Sequence, residues 1–503
     1  MADYDLAIIG GGVNGAGIAR DAAGRGLRVV LLEQNDLASG TSSASTKLIH
    51  GGLRYLEHGA FRLVREALTE REVLLKSAPH LVQPMRFMLP AVPGPRSPLM
   101  LRIGLWLYDC LGARKILPPS RGVDLTHHVT GQPLTRKFTY GFEYSDCRVD
   151  DSRLVALNAL DAAERGASIR TRTRVTRAER EQEWRLILNA QGRRHVVTAR
   201  ILVNAAGPWA GLVAETVLRM ERRPPMRLAK GSHIVVHKLF DHDRGYILQN
   251  SDKRIVFALP FAGDFTLIGT TDDNFVGALE SVAPSADEVM YLCRAVNEYF
   301  RVHTDPLQVV WAFAGVRSLY DASGGKDTPE DVTRDYHLTL DEQLGSAPLL
   351  TVYGGKITTH RRLAEQAVER IAHFFPRTPA PWTASAPLPG GDFAWDEIEA
   401  LVVRTMQAAP FLEKSEARRL VRAYGTRAVQ AMGGAKQRED AGPFFGPLSA
   451  GEVRYLMQHE WARTADDVLW RRSKLGLKLS AAEKDALAQF MAQSLAQAAA
   501  PAS

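Results

Sequence analysis

The chain opens on an apolar, β-rich run from Tyr4 to Ile9, breaks on Gly10, Gly11 and Gly12, and continues in helix formers from Val13 to Arg25. A second apolar run follows from Leu27 to Leu32. Continuous apolar runs flanking a helix predict parallel strands buried on both faces, a strand–helix–strand start. From Phe61 to Ser77, leucine and valine recur at helical spacing, which predicts an amphipathic helix packed on this first unit. Prolines crowd the stretch from Pro79 to Pro98 and mark the exit into a different domain. Short β-runs return at Ser168 to Val175 and Ala199 to Ala205, so the chain is expected to re-enter the first domain there. From Arg227 to Gly269 apolar and polar residues alternate, predicting an antiparallel sheet with strands at His233 to Val236, Arg254 to Leu259 and Phe265 to Ile268. Beyond a linker at Pro387 to Asp392, strand signals fade, and Phe393 to about Leu495 reads as a helical C-terminal domain.

With 503 residues, 45% of them hydrophobic, the chain can bury a large core and divides into two or three domains. Its three cysteines, Cys110, Cys147 and Cys293, lie far apart, which argues against a disulfide framework and a clustered zinc site and fits a reducing compartment. Because the first strand begins at Asp5, no leader peptide is expected. The net charge of +7 suits an anionic substrate or an anionic membrane surface, and by itself does not exclude nucleic acid. No run reaches the roughly 20 apolar residues of a spanning helix. The nearest, Pro98 to Leu117, carries Arg102, Asp109, Arg114 and Lys115. It is expected to be buried or interface structure, with a membrane-surface patch as the alternative.

Gly10, Gly12 and Gly15 form G-x-G-x-x-G between a strand and a helix, and Glu33 ends the next strand. The first glycine permits the tight turn, the second lets backbone approach a pyrophosphate, and the third lets helix and strand pack closely. Glu33 is placed to accept hydrogen bonds from a ribose. A glycine-rich turn without ligand is the bland alternative, and the strand and acidic residue weigh against it. The long insertion between this fingerprint and the run Ala199 to Gly207 favours FAD over NAD. The hydroxyl-rich loop Gly40-Thr-Ser-Ser-Ala-Ser-Thr-Lys47 follows the ribose-binding strand and can hydrogen-bond a pyrophosphate.

Together, Ile9-Gly-Gly-Gly-Val-Asn-Gly-Ala-Gly-Ile18, Thr41 to Glu57 and Gly141 to Cys147 resemble the aerobic FAD-dependent glycerol-3-phosphate dehydrogenases. So do Lys230-Gly-Ser-His-Ile-Val-Val236, Ile268-Gly-Thr-Thr-Asp272, Gly315-Val-Arg317, Thr333-Arg-Asp-Tyr336 and Tyr353-Gly-Gly-Lys-Ile-Thr-Thr359, in the same order. The resemblance implies an α/β, glutathione-reductase-like FAD-binding domain, discontinuous over 1–85, 145–225 and 325–386. It implies an antiparallel β-rich substrate or cap domain over 86–144 and 226–324, and a helical C-terminal domain over 393–503. It further implies non-covalently bound FAD, oxidation of sn-glycerol 3-phosphate to dihydroxyacetone phosphate, and electrons passed to ubiquinone or menaquinone. The protein would then sit peripherally on the cytoplasmic face of a membrane. Cofactor contacts are implied at Gly10, Gly12, Asn14, Gly15, Glu33, Thr41, Ser42, Ser43, Ser45, Lys47, Leu48, Val175, Gly207, Trp209, Gly315, Gly355, Lys356 and Thr358.

Flavin carries the hydride chemistry, so the protein must hold the substrate carbon, bind a phosphate dianion and accept a hydroxyl proton. A guanidinium fork suits the phosphate, and Arg54, Arg317 and Arg334 lie in the matching motifs. Tyr55 and Thr270 are candidates for the glycerol hydroxyls, against the alternative that Tyr55 is a core aromatic. His233, with an imidazole near its ordinary pKa, is the first choice for proton acceptance, and Lys356 can stabilise developing negative charge. Gly354 and Gly355 let backbone approach the flavin, and Thr358 is expected to start the following helix. No metal and no nucleic acid partner are expected, and a homodimer is the default assembly. The competing readings are a glycerol-3-phosphate oxidase that reduces oxygen to peroxide, an amine or amino-acid oxidase of the same flavoprotein class, and a catalytically silent flavin- or membrane-binding module.

Overall fold

The structure, a computed structural model, describes residues 2–57, 59–92, 97–112, 116–220, 226–252, 254–321 and 335–499. Two large sheets organise the first three-quarters of the chain. In the first, the parallel core runs Leu349–Tyr353, Arg193–Asn204, Tyr4–Ile9, Val29–Leu32 and Ser168–Arg170, with His337–Asp341 antiparallel at one edge. The strands Thr173–Arg180 and Trp184–Ala190 add an antiparallel meander onto Arg193–Asn204. Every residue of Val29–Leu32 is buried, as a strand covered on both faces requires. The helix Val13–Gly24 packs against the helices Asp151–Glu164 and His360–Ile371. Its small buried residues, among them Gly15, Ala16, Gly17 and Ala19, permit that close approach. Helix and strands here match the sequence reading, and Phe61–Ser77 is the helix its periodicity predicts.

The second sheet is mostly antiparallel and is built around Met226–His237, which pairs with Phe265–Gly269 on one side and Val309–Tyr320 on the other. Ile255–Phe261 and Gly245–Gln249 extend it, and Val82–Pro90 joins through a short parallel pairing at Phe87 and Met88. Val82–Pro90, within the proline-marked stretch, is therefore a strand of this sheet. Pro84 is tolerated because the parallel neighbour pairs only from Phe87 onward. Tyr140–Val149 lies wholly in the second sheet, paired with Val82–Pro90, so sheet membership changes after Val149 and not at 145. Leu48–Ile49 also pairs with this strand, which places part of 1–85 in the second sheet. The helix Ala286–Asn297 packs beneath it and starts on a capping box, in which Ser285 and Glu288 satisfy each other's backbone N–H groups.

The helix Pro98–Leu111, expected to be buried or interface structure, buries one face only. Leu101, Leu105 and Tyr108 point inward, while Leu99, Met100, Ile103 and Trp106 on the other face are exposed. Beyond Asp392 the chain is helical, as read, with its own apolar core and a minor hairpin at Phe444–Phe445 and Leu448–Ser449. That domain is bolted to the first by buried ion pairs: Arg153 with Glu460, and Arg472 with Asp36 at 2.8 Å.

Candidate active site

A cavity of about 660 Å³ lies between the two sheets and draws walls from both. At one end Glu33 accepts hydrogen bonds from the backbone N–H groups of Gly11 and Asn35, each at 2.7 Å. Burial pushes its pKa up, against the pull of those two donors. Gly10 turns the chain at φ +115°, where an added Cβ would lie 2.6 Å from the Ala205 carbonyl oxygen. Gly15 does not face the cavity; an added Cβ there would strike the Gly10 carbonyl oxygen at 1.9 Å, the close packing expected of the third glycine.

In the middle, the Val13 N–H at the helix N-terminus donates to Ser42 Oγ at 3.0 Å. Asn14 donates through Nδ2 to the Gly354 carbonyl at 3.1 Å, while its buried Oδ1 has no partner among the described residues. A buried acceptor of that kind needs a donor from elsewhere. Gly355, at φ +105°, would bring a Cβ to 2.9 Å from Asn14 Nδ2, so the two segments close against each other. Thr41, Ser42, Ser45, Leu48, Val175, Gly207, Trp209, Gly315, Gly355 and Thr358 line the same cavity. A cleft with a ribose-accepting carboxylate, a helix N-terminus in its wall and an unpartnered acceptor fits FAD. Gly10, Gly12, Asn14 and Glu33 would hold its adenosine and pyrophosphate portions, and Gly355 to Thr358 its ring.

Two members of the hydroxyl-rich loop do not face the cavity. Ser43 donates to the Gly40 carbonyl, and Lys47 turns behind the loop, where Nζ bonds the Ser43 carbonyl and Asp151 Oδ2, both at 2.8 Å. The sequence instead implies Lys47 as a cofactor contact. The buried carboxylate of Asp151 outcompetes it, because a buried charge is stable only when paired. Thr358 sits in a short turn and exchanges a hydrogen bond with His50, and the helix proper starts at His360, two residues later than expected.

At the far end, His233 Nε2 lies 3.0 Å from Thr46 Oγ1, and its ring stacks on Phe313 with centroids 5.0 Å apart. Nδ1 is buried and has no hydrogen-bond partner among the described residues. Burial, reinforced by the charges of Lys47 and Arg317, pushes the imidazole down to about 3. It is therefore neutral at pH 7, not near its ordinary pKa as the sequence suggested. Arg317 reaches Asp272 at 2.9 Å, and Thr270 Oγ1 bonds the Thr271 carbonyl at 3.0 Å. Lys356 Nζ stands 3.8 Å over the Tyr55 ring. His233, Thr270, Arg317, Tyr55 and Lys356 all line this end of the cavity. Arg54 neighbours Tyr55 in the short helix Leu53–Leu56 but is not part of the lining, and Arg334 lies outside the described residues. Thr46, Asp272 and Phe313 also shape this end. The first two sit inside motifs visible in the sequence, whereas Phe313 carries no sequence signal.

Residues 5–361 match the family of FAD dependent oxidoreductases, and 381–500 match the C-terminal domain of alpha-glycerophosphate oxidase. The glycerol-3-phosphate dehydrogenase of Pseudomonas aeruginosa is 50% identical over 97% of this chain and 95% of its own length. The aerobic glycerol-3-phosphate dehydrogenase of Escherichia coli is 46% identical over 98% of each chain. The D-erythritol 1-phosphate dehydrogenase of Brucella abortus is 49% identical over 97% of each. Among solved structures, the glycerol-3-phosphate dehydrogenase of Bacillus halodurans complexed with FAD superimposes with a TM-score of 0.75 at 25% identity, covering 98% of this chain and 94% of that one. With its dinucleotide cleft, its two-sheet architecture and relatives matched nearly end to end, this chain belongs to the FAD-dependent glycerol-3-phosphate dehydrogenase family.

Proposed function

We propose that the protein oxidises sn-glycerol 3-phosphate to dihydroxyacetone phosphate and passes the electrons to a membrane quinone. The observation that carries this is the joining, in one cavity, of a nucleotide-binding end with an end that presents Arg317, Lys356 and the neutral imidazole of His233. FAD, when bound, supplies the acceptor for the hydride from the substrate carbon. Arg317 pairs with the phosphate dianion through charge-assisted hydrogen bonds, and Thr270 and Tyr55 orient the glycerol hydroxyls. His233 takes the hydroxyl proton. Burial is the main cause of the imidazole's neutrality, and phosphate at Arg317 offsets one of the two cations that add to it, so binding of substrate favours proton acceptance in that direction. Lys356 places positive charge beside the oxygen on which negative charge develops.

The quinone requires a lipid surface. Among the described residues no helix is long and apolar enough to cross a membrane. We assign peripheral attachment, on the cytoplasmic face, to Pro98–Leu111. Leu99, Met100, Ile103 and Trp106 recur on one helical face, with Trp106 64% exposed, and the chain carries a net charge of +7. Flotation with anionic liposomes at low salt tests this, and protein that stays at the bottom of the gradient refutes it.

One domain-family match and one relative favour specific alternatives. The C-terminal match to an oxidase raises oxygen as the acceptor, and the erythritol-phosphate relative raises a longer polyol phosphate as the substrate. Dye reduction with both phosphates under anaerobic conditions, followed by quinone reduction and peroxide release in air, separates these outcomes. Absence of flavin absorbance, or no reduction with sn-glycerol 3-phosphate, overturns the proposal.

A further inference from the structure

None of the described residues of the C-terminal domain lines the cavity, yet one of its segments, Asp467 to Lys474, reaches the back of the site by two separate routes. The first is aromatic. Trp470 packs on Trp311 with ring centroids 4.8 Å apart, Trp311 on Phe313 at 4.6 Å, and Phe313 on the His233 imidazole at 5.0 Å. The second is ionic. Lys474 Nζ bonds Ser152 Oγ and lies 3.6 Å from Asp150, beside Asp151 at the start of the helix Asp151–Glu164. Asp151 in turn holds Lys47 at 2.8 Å and Ser45 Oγ at 2.8 Å, on either side of Thr46, the hydrogen-bond partner of His233. Lys47 Nζ also stands 5.0 Å over the Phe313 ring, so both routes end on the same pair of rings.

The segment itself is firmly held. Arg472 is buried and bonds both carboxylate oxygens of Asp36, at 2.8 and 2.9 Å, and Arg471 reaches the same carboxylate. Residues Asp467–Arg472 form a π-helical turn, a wider winding than the α-helix that is found disproportionately where side chains must be aimed at a functional site. Lys474 follows in a left-handed conformation at φ +60°, and its ammonium is buried among Asp150, Asp151 and Lys47. A buried ammonium held this way costs desolvation, and tethering two domains does not require it, since Arg153–Glu460 and Arg472–Asp36 already do that.

We propose that Trp470 and Lys474 are positioning residues for the reaction, fixing Phe313 and the Ser45–Thr46–Lys47 turn against His233 from a domain none of whose described residues lines the cavity. The inference rests on the proposed role of His233 as proton acceptor. An imidazole displaced by a fraction of an ångström still lets substrate bind but meets the hydroxyl proton poorly, so the loss belongs in kcat and not in KM.

The test uses the full-length, FAD-loaded enzyme. Lys474→Met and Trp470→Leu are expected to keep FAD, measured by absorbance, to hold KM within about twofold, and to lower kcat about tenfold or more. Lys474→Arg and Trp470→Phe, which keep the charge and the ring, are expected to recover most of that loss. In a His233→Asn background Lys474→Met should cost almost nothing further, because the group it positions is gone. Unchanged kcat in the FAD-loaded variants, or the same fold-loss in both backgrounds, overturns the proposal. Loss of FAD or of folded protein in place of kcat overturns it too, since the segment would then be a general support. A His233→Asn enzyme with full kcat would instead remove the proton acceptor from the proposed function, a separate failure.

Discussion

The two ends of the cavity are built by different means. The nucleotide end comes from consecutive sequence: Gly10 to Gly15 turns a strand into a helix, and Glu33 closes the next strand. Its frame is backbone whose direction follows from secondary structure, and the side chains of Asn14 and Glu33 stand on that frame. The substrate end is assembled from side chains far apart in the chain, with Thr46 from a loop, His233 and Arg317 from neighbouring strands of the second sheet, Thr270 from just past the strand Phe265–Gly269, and Lys356 from a glycine turn. A site made of local backbone tolerates side-chain replacement. One made of converging side chains depends on each of them, so damage at one end should leave the other's property intact.

The largest expected effect is at His233. Asparagine there should lower kcat by about 10²- to 10⁴-fold, the usual span for removing a general base, with FAD affinity unchanged. Stopped-flow reduction reads this, and loss of FAD in the variant would break the division between the two ends. Arg317→Ala should follow, with kcat/KM for the phosphorylated substrate falling about a hundredfold and bound FAD retained. If the unphosphorylated alcohol suffers equally, the guanidinium does not serve the phosphate. Conversely, Glu33→Gln should weaken FAD binding by about tenfold while kcat at saturating FAD stays at the parent value; titration of apoprotein with FAD measures it.

The smallest effect, shared by both ends, is acid lability. Burial pushes His50 and His360 down to about 4 and His80 and His233 down to about 3. Unfolded, each binds a proton below about 6.5, so the unfolded state takes up more protons and stability falls as the pH drops from about 6.5 towards 4. Asp146, pushed up to about 6, opposes this, as do Asp21, Glu33 and Glu70, whose carboxyls burial also pushes up. Glu143 and Glu288, held at about 2, add a further loss below 4.5. Thermal melts from pH 7 to 4 should show a falling Tm, and a flat profile would leave the buried imidazoles without thermodynamic consequence.

The same contrast explains what could be read beforehand. The fingerprint, the helix Phe61–Ser77 and the strands around His233 depend on periodicity and turn residues, which lie in the sequence itself. The direction of Lys47 does not. It is decided by Asp151, a residue distant in the chain that arrives on another helix. Nor could the exposed face of Pro98–Leu111 be read, since its apolar residues cover both sides of the helix, and only packing shows which side is covered. The pairs Arg153–Glu460 and Arg472–Asp36 likewise look like ordinary surface charges until folding buries them.

The run Thr41 to Ile49 carries one last consequence. Its start is pinned to the second sheet through Thr41 Oγ1 on the Val316 carbonyl, and its end pairs there as the strand Leu48–Ile49. Between those points it lines the cofactor cleft. The seam between the two halves of the molecule is thus stitched with the same thread that grips FAD. Separating the two halves would therefore also disturb the wall of the cleft that fits FAD.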